Sequence, residues 1–165
     1  MSSVTSKFIG DSHITLQRVL SRDVPYIAYI EKLCFAQPWS EEDLYNKLKE
    51  TACSGFLIAV SGVTSGYVIY RAKKNHFQID SLAVDPMMQR QGLGTRLINM
   101  MLGQATTHRH RFWITVRESN LGAQLFLREM GFRCMMTERD TYRQPDGHTE
   151  DGYLFSRKIK IDPED

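Results

Sequence analysis

The chain has 165 residues, of which 42% are hydrophobic and 24% charged, the composition of a soluble globular protein with one ordinary core. Lysine and arginine outnumber aspartate and glutamate by 21 to 19, and a net charge of +2 gives no argument for nucleic acid or an anionic membrane as partner. No run approaches the roughly 18 apolar residues of a membrane span. Cys34, Cys53 and Cys134 form no C-x-x-C pair, so reduced thiols and a cytoplasmic location are expected.

Residues 1–10 read as loosely ordered. Ile14, Leu16 and Val19 suggest a short strand. Arg22-Asp23-Val24-Pro25 reads as a helix start with Ser21 as N-cap, and Ile27, Ile30, Leu33 and Cys34 follow at helical spacing. Pro38-Trp39 interrupts that helix. Ser40 with Asp43 three residues later is a relative of the capping box and opens a second helix, carrying Leu44 and Leu48. Strands over 56–60 and 66–71 follow, with Ser61-Gly62 and Ser65-Gly66 as turn signals, so the pair reads as a hairpin. A third strand over 76–84 stops at Asp85-Pro86, and its Leu82-Ala83-Val84 is apolar on both sides, as in a covered central strand.

A helix begins after Gly94, with Leu97, Met101 and Ala105 at i, i+4 and Ile98 and Leu102 beside them. A strand over 112–116 comes next. Ser119 or Asn120 then caps a helix whose buried face carries Leu121, Leu125 and Phe126, and Gly131 stops it. Strands over 132–136 and 153–159 close the chain, with the polar stretch 139–152 as a long loop. Without a repeat or linker, the chain is expected to be one domain over 1–165 with its core at about 14–160.

The chemically informative segment is Gln89-Arg90-Gln91-Gly92-Leu93-Gly94, between a strand and a helix. The first turn of a helix has backbone N–H groups without partners, and the helix dipole adds to their pull on an anion. Glycines let a phosphate approach the backbone and permit positive φ. Arg90 and Arg96 add positive charge, although Arg96 also reads as a solvated helix residue. A Gly-x-Gly turn also has a purely structural reading. The chain has no G-x-x-x-x-G-K-[ST] loop and lacks the third glycine of G-x-G-x-x-G.

The wider context resembles the GNAT acetyltransferase superfamily and, more narrowly, the N-terminal acetyltransferases that modify ribosomal protein S18 in bacteria. Four stretches carry the likeness. Ile79-Asp80-Ser81-Leu82-Ala83-Val84-Asp85-Pro86 leads into Gln89-Arg90-Gln91-Gly92-Leu93-Gly94-Thr95-Arg96-Leu97. Val116-Arg117-Glu118-Ser119-Asn120 continues through Ala123 and Phe126 to Gly131-Phe132. Glu31 and Phe35 precede Pro38-Trp39-Ser40. Tyr142, His148, Glu150 and Asp151 lie in the final polar segment.

The resemblance implies an α/β (α+β) fold. It has a mixed, largely antiparallel seven-stranded sheet flanked by helices, with a central parallel pair that splays near Leu82 to Val84 and Ile114 to Val116. It implies that acetyl-CoA lies in that gap. The backbone of Leu82 and Val84 would bond the pantetheine arm, and Gln89, Arg90, Gln91, Gly92, Leu93, Gly94 and Thr95 would hold the pyrophosphate. Asn120 would contact the pantetheine amides, and Phe126 would line the cofactor. Phe35 and Trp39, one ring inward and one near the cleft mouth, would wall the acceptor site, and Tyr142 would meet the acceptor N-terminus. The reaction passes acetyl from CoA sulfur to an amine, with a general base removing the ammonium proton and commonly a tyrosine meeting the thiolate.

Two positions depart from that pattern. The glutamate of S18-type enzymes, two residues before Arg117, is Thr115 here, and a hydroxyl orders water but is a poor base. The tyrosine falls on Phe126, which keeps the packing and loses the proton. Candidate catalytic residues are therefore Asp80, Glu31 and Thr115. Asp80 shares a strand face with Gln78 and also reads as a paired surface carboxylate; Glu31 also reads as a solvated helical glutamate. His76 reads as an edge residue, Trp113 as core, and His148 as no metal ligand, since no second ligand stands at recognisable spacing.

Three functional readings follow. The first is an acetyl-CoA-dependent acetyltransferase of a protein or peptide α-amine. The second is one acting on a small amine of polyamine or aminoglycoside type. The third is a noncatalytic module that holds acyl-CoA. A monomer or weak homodimer, no nucleic acid, no membrane and no metal complete the expectation.

Overall fold

The computed structural model describes residues 13–162; residues 1–10, expected to be loosely ordered, lie outside them. Seven strands form one mixed sheet in the order β1-β2-β3-β4-β5-β7-β6, and the single parallel pair is β4 with β5. The chain divides into two compact units. One joins the chain up to Arg71 with Ser81–Gly103; the other joins Ala72–Asp80 with the chain from Gln104 on. Strand β4 (Phe77–Val84) contributes to both.

The first unit begins with β1 (Ile14–Arg18), paired antiparallel to β2 (Cys53–Val60). β2 pairs antiparallel with β3 (Val63–Ala72) through Ser61-Gly62, both at positive φ, which matches the right-handed twist of a hairpin. Ser65-Gly66, read as a second turn, lies inside β3. Six consecutive β2 residues, 55–60, are buried, which is why the run shows no alternation in sequence.

Helix α1 (Val24–Cys34) has Pro25 in its first turn, where a missing N–H costs nothing. Its N-cap is Asp23 rather than Ser21, because residues 21–23 form a 3-10 turn first. The Asp23 carboxyl accepts the Leu20 N–H at 2.8 Å. Val24, Ile27 and Ile30 pack on Leu57, Tyr67 and Ile69 of the sheet, while Leu33, expected on that face, is exposed.

Helix α2 (Glu41–Leu48) is closed by the capping box read from the sequence: Ser40 Oγ accepts the Asp43 N–H at 3.1 Å, and Asp43 accepts the Ser40 N–H at 2.9 Å. Helix α3 (Leu93–Leu102) starts at Leu93 and buries Leu93, Leu97, Ile98 and Met101. Ala105 lies beyond its end.

In the second unit β5 (Arg111–Arg117) pairs parallel to β4 over Phe77–Ile79 and antiparallel to β7 (Thr149–Lys158) along its whole length. Helix α4 (Leu121–Glu129) buries Leu127; Leu121 and Leu125, expected inward, are exposed, and Phe126 is half-buried. The stretch 139–152 is not a long loop. β6 (Arg133–Arg143) and β7 form an antiparallel hairpin closed by residues 144–148. β6 is an edge strand of largely exposed polar residues, a composition that blunts further strand pairing but hides the strand from a hydrophobic reading.

Candidate active site

The glycine-rich segment lies where β4 gives way to α3. After Val84 the Asp85 carboxyl accepts the Met87 N–H at 2.9 Å, which closes a 3-10 turn over Pro86–Met88. Arg90 then takes φ 61 and Gly92 φ 80. A non-glycine residue held at positive φ costs about 1–3 kcal/mol, so the Arg90 conformation is imposed by the turn. Gly92 is the N-cap of α3, and a Cβ built on it meets nothing within 4 Å. The N–H groups of the first helical turn have no intrahelical partner, and no acidic residue stands in that turn. Gln91 Oε1 is buried without a hydrogen-bond partner among the described residues. These features fit a pyrophosphate.

The adjoining backbone of β4 is partly committed. The Val84 carbonyl accepts Cys34 Sγ–H at 3.3 Å and Gln89 Nε2–H at 3.0 Å, which occupies both its lone pairs. The Asp85 N–H bonds the Ser65 carbonyl on β3, so strand alternation turns the Val84 N–H away from β3. Burial, with Asp85 and Glu31 adding to it, pushes the Cys34 thiol up to about 11, so this cysteine is a donor here and not a nucleophile.

Glu31 is not a solvated helical residue. It is 3% exposed and sits at the centre of a buried polar node. Its Oε1 accepts the hydroxyls of Tyr67 and Ser81, the latter at 2.8 Å, and its Oε2 accepts the Trp39 N–H at 3.0 Å. Burial first, and then Glu31, pushes the Tyr67 phenol well above its ordinary range. The node ties the turn after α1 to β3 and β4. Phe35 and Trp39 are both half-buried against the first unit's core, and Lys47 lies 4.8 Å over the Trp39 ring.

In the second unit a polar cluster gathers on one sheet face. Thr115 Oγ1 donates to Glu138 Oε2 at 3.0 Å, and the Tyr142 hydroxyl donates to the Thr115 carbonyl at 3.2 Å. Arg117 stacks 4.2 Å over the Tyr142 ring and pairs with Glu150 at 3.2 Å. Glu150 also accepts the Ser119 N–H at 2.7 Å, and that bond, ahead of Arg117, holds its carboxyl below the usual range. Burial pushes the Tyr142 phenol up while Arg117 pulls it partly back, so the hydroxyl stays a donor at neutral pH.

Alternation and the Gln78–Trp113 pairing place Asp80 and Thr115 on this same face. Trp113 is half-buried rather than core, with its ring stacked 3.9 Å from His76. His76, expected at an ordinary edge, therefore has a partner; burial first and then Lys73 lower its pKa.

Asn120 caps α4 by accepting the Ala123 N–H at 3.1 Å, which leaves its amide NH2 for another partner. His148 pairs with Asp146 in the hairpin turn at 2.9 Å. Among the described residues no three His, Cys, Asp or Glu side chains gather as a metal site, and no helix is long and apolar enough to cross a membrane. Glu138, Tyr67 and Ser81 were not singled out by sequence. For Glu138 the obstacle was the unrecognised strand β6; Tyr67 stands in no local motif, and Ser81, though inside the β4 stretch, meets Glu31 only across 50 positions.

The strand-turn-helix from β4 to α3 and the mixed sheet define a class. The acetyltransferase (GNAT) family model matches residues 24–132, and the chain belongs to that family. It is thus an acetyl-CoA-dependent acyltransferase. The ribosomal protein bS18-alanine N-acetyltransferase of Escherichia coli (strain K12) is 28% identical over 153 residues, covering 89% of this chain and 99% of its own. The crystal structure of the ribosomal-protein-S18-alanine N-acetyltransferase from Escherichia coli superposes with TM-score 0.80 at 26% identity over 92% of this chain and 97% of that one. Arabidopsis thaliana NAA60 in complex with acetyl-CoA shares the fold, with TM-score 0.78 at 17% identity over 88% and 98% of the two chains.

Proposed function

We propose that this chain acetylates the α-amine of a protein or peptide N-terminus. The observation that carries this reading is the likeness to bS18-alanine N-acetyltransferases across nearly the whole of both chains, which includes the β6–β7 hairpin bearing Tyr142. Acetyl-CoA is held with its pyrophosphate on the turn from Gln89 to Thr95. The Leu82 and Val84 backbone and the Asn120 amide serve the pantetheine, and Phe126 supplies apolar contact. For Val84 that contribution falls to the N–H, since its carbonyl is already engaged. Phe35, Trp39 and Tyr142 contact the acceptor.

Glu31 acts in this scheme by position. Both its oxygens are taken up in holding Trp39, Tyr67 and Ser81, so the general base is sought among Asp80 and the groups around Thr115. The test is acetyl transfer to a panel of peptide N-termini and to small amines such as polyamines and aminoglycosides. Peptide turnover is expected. Small-amine turnover alone would replace the acceptor. Tight CoA binding with no transfer to either would favour a noncatalytic module.

A further inference from the structure

Glu138 differs from the other carboxyl groups around it. β6 is exposed nearly throughout, and Glu138 and Tyr142 are its only half-buried residues. Among the described residues, the Thr115 hydroxyl is the sole hydrogen-bond partner of the Glu138 side chain, and no cation pairs with it. Glu150, by contrast, is taken by Arg117 and Ser119, and Asp151 by the Asp140 N–H. A half-buried carboxylate satisfied by one neutral hydroxyl keeps acceptor capacity for a charged donor, and such a bond is about twice as strong as a neutral one.

The arrangement is built into the hairpin. Glu138 opposes Gly152, and a register break before Tyr142, with Asp140 at φ 52, makes Tyr142 rather than Asp140 oppose Glu150. A Cβ on Gly152 would come within 2.7 Å of Thr115 Cγ2 and 3.2 Å of the Tyr142 ring. Only glycine on β7 lets Thr115 reach Glu138 under Tyr142.

We propose that Glu138 receives the acceptor's α-ammonium and takes its proton, with Thr115 and Tyr142 as positioning residues. The proposal rests on the reading of the chain as an acetyltransferase of N-terminal amines. The ammonium gives one proton to Glu138. The freed amine attacks the thioester carbon, the C–N bond forms as C–S breaks, and the surplus proton on nitrogen passes to the departing sulfur. Glu138 then returns its proton to solvent. Thr115, having donated its hydrogen to Glu138, keeps lone pairs that accept from the same ammonium. Also on this face are Arg117 and Glu150, paired with each other, the Tyr142 phenol, Asp80 on β4, and, toward the other end of the strands, Arg111, Lys158 and Arg133, with His76 stacked on Trp113.

The experiment compares wild type with Glu138→Gln in the full chain. The variant keeps a hydrogen-bond acceptor at an edge-strand position, and CoA affinity by calorimetry should stay within about twofold of wild type, since Glu138 lies off the turn that carries the anion site. Its kcat/KM for an α-amine peptide should fall about 100-fold near neutrality. The deficit should shrink about tenfold per pH unit toward the peptide's own amine pKa, roughly 8, because the variant needs an amine that is already free. CoA-loaded wild type should bind the amine peptide in preference to its des-amino analogue, and the variant should lose that preference. Thr115→Glu added to Glu138→Gln returns a carboxylate to the same face and should recover activity. A loss of equal factor at every pH, or an unchanged preference for the amine peptide, would overturn the role of Glu138 while wild-type transfer stands. If CoA-loaded wild type transfers to no peptide, the acceptor reading fails and the proposal fails with it.

Discussion

Tyr67 and Cys34 show how far single residues here depend on neighbours remote in sequence. Tyr67→Phe removes one donor from a buried carboxyl and leaves the ring in place. The loss should be about 2 kcal/mol in urea unfolding, the size of a hydrogen bond to a charged group. A variant as stable as wild type would show that the Glu31 node has little weight. Cys34 tests the same region chemically. With its thiol at about 11 and bonded to the Val84 carbonyl, it should resist alkylation at mildly alkaline pH, while the exposed Cys134 reacts. Mass spectrometry of a timed labelling reaction reads the order, and equal rates would contradict the burial of Cys34.

Among elements, the β6–β7 hairpin departs most from the sequence reading. Its residues 139–152 are polar and break alternation at the bulge after Glu138, so neither hydrophobicity nor period marks a strand. What closes it is charge and capping: Glu150 binds the Ser119 N–H ahead of α4 and Arg117 on β5. The folded carboxyl titrates below its ordinary value near 4.5, so its contribution is complete above that value and is lost as pH falls through the lower folded one. Glu150→Gln should therefore lower the melting temperature near neutrality, and the difference from wild type should shrink at pH below about 4.5. A difference constant with pH would rule out the charged form as its source. The capping box of α2, by contrast, was legible because Ser40 and Asp43 are three residues apart and need only each other.

At the scale of the molecule, binding and folding are linked. CoA at a hundredfold excess over its Kd should stabilise the chain by about 2.7 kcal/mol. For a chain of this length that is a rise in melting temperature of roughly 5–11 °C. Gly92→Val should abolish most of the shift, because φ 80 strains a β-branched residue and its side chain would fill the space before α3. An undiminished shift in a folded variant would remove the phosphate assignment.

The strand-turn-helix around Gln89 to Gly94 was determined by sequence alone, as were the paired first helices and most strands of the first unit. Their signals are local: apolar period, caps and a glycine that only a turn at positive φ requires. Tertiary structure decided that Glu31 is a buried latch, that Trp113 meets His76, and that Glu138 stands against Thr115. Each depends on strand register or on contacts between residues 23 to 50 positions apart, which no local pattern encodes. The sequence thus located the turn that is proposed to hold the pyrophosphate. That the Glu138 carboxyl is met by the Thr115 hydroxyl was decided by the pairing of β5, β7 and β6.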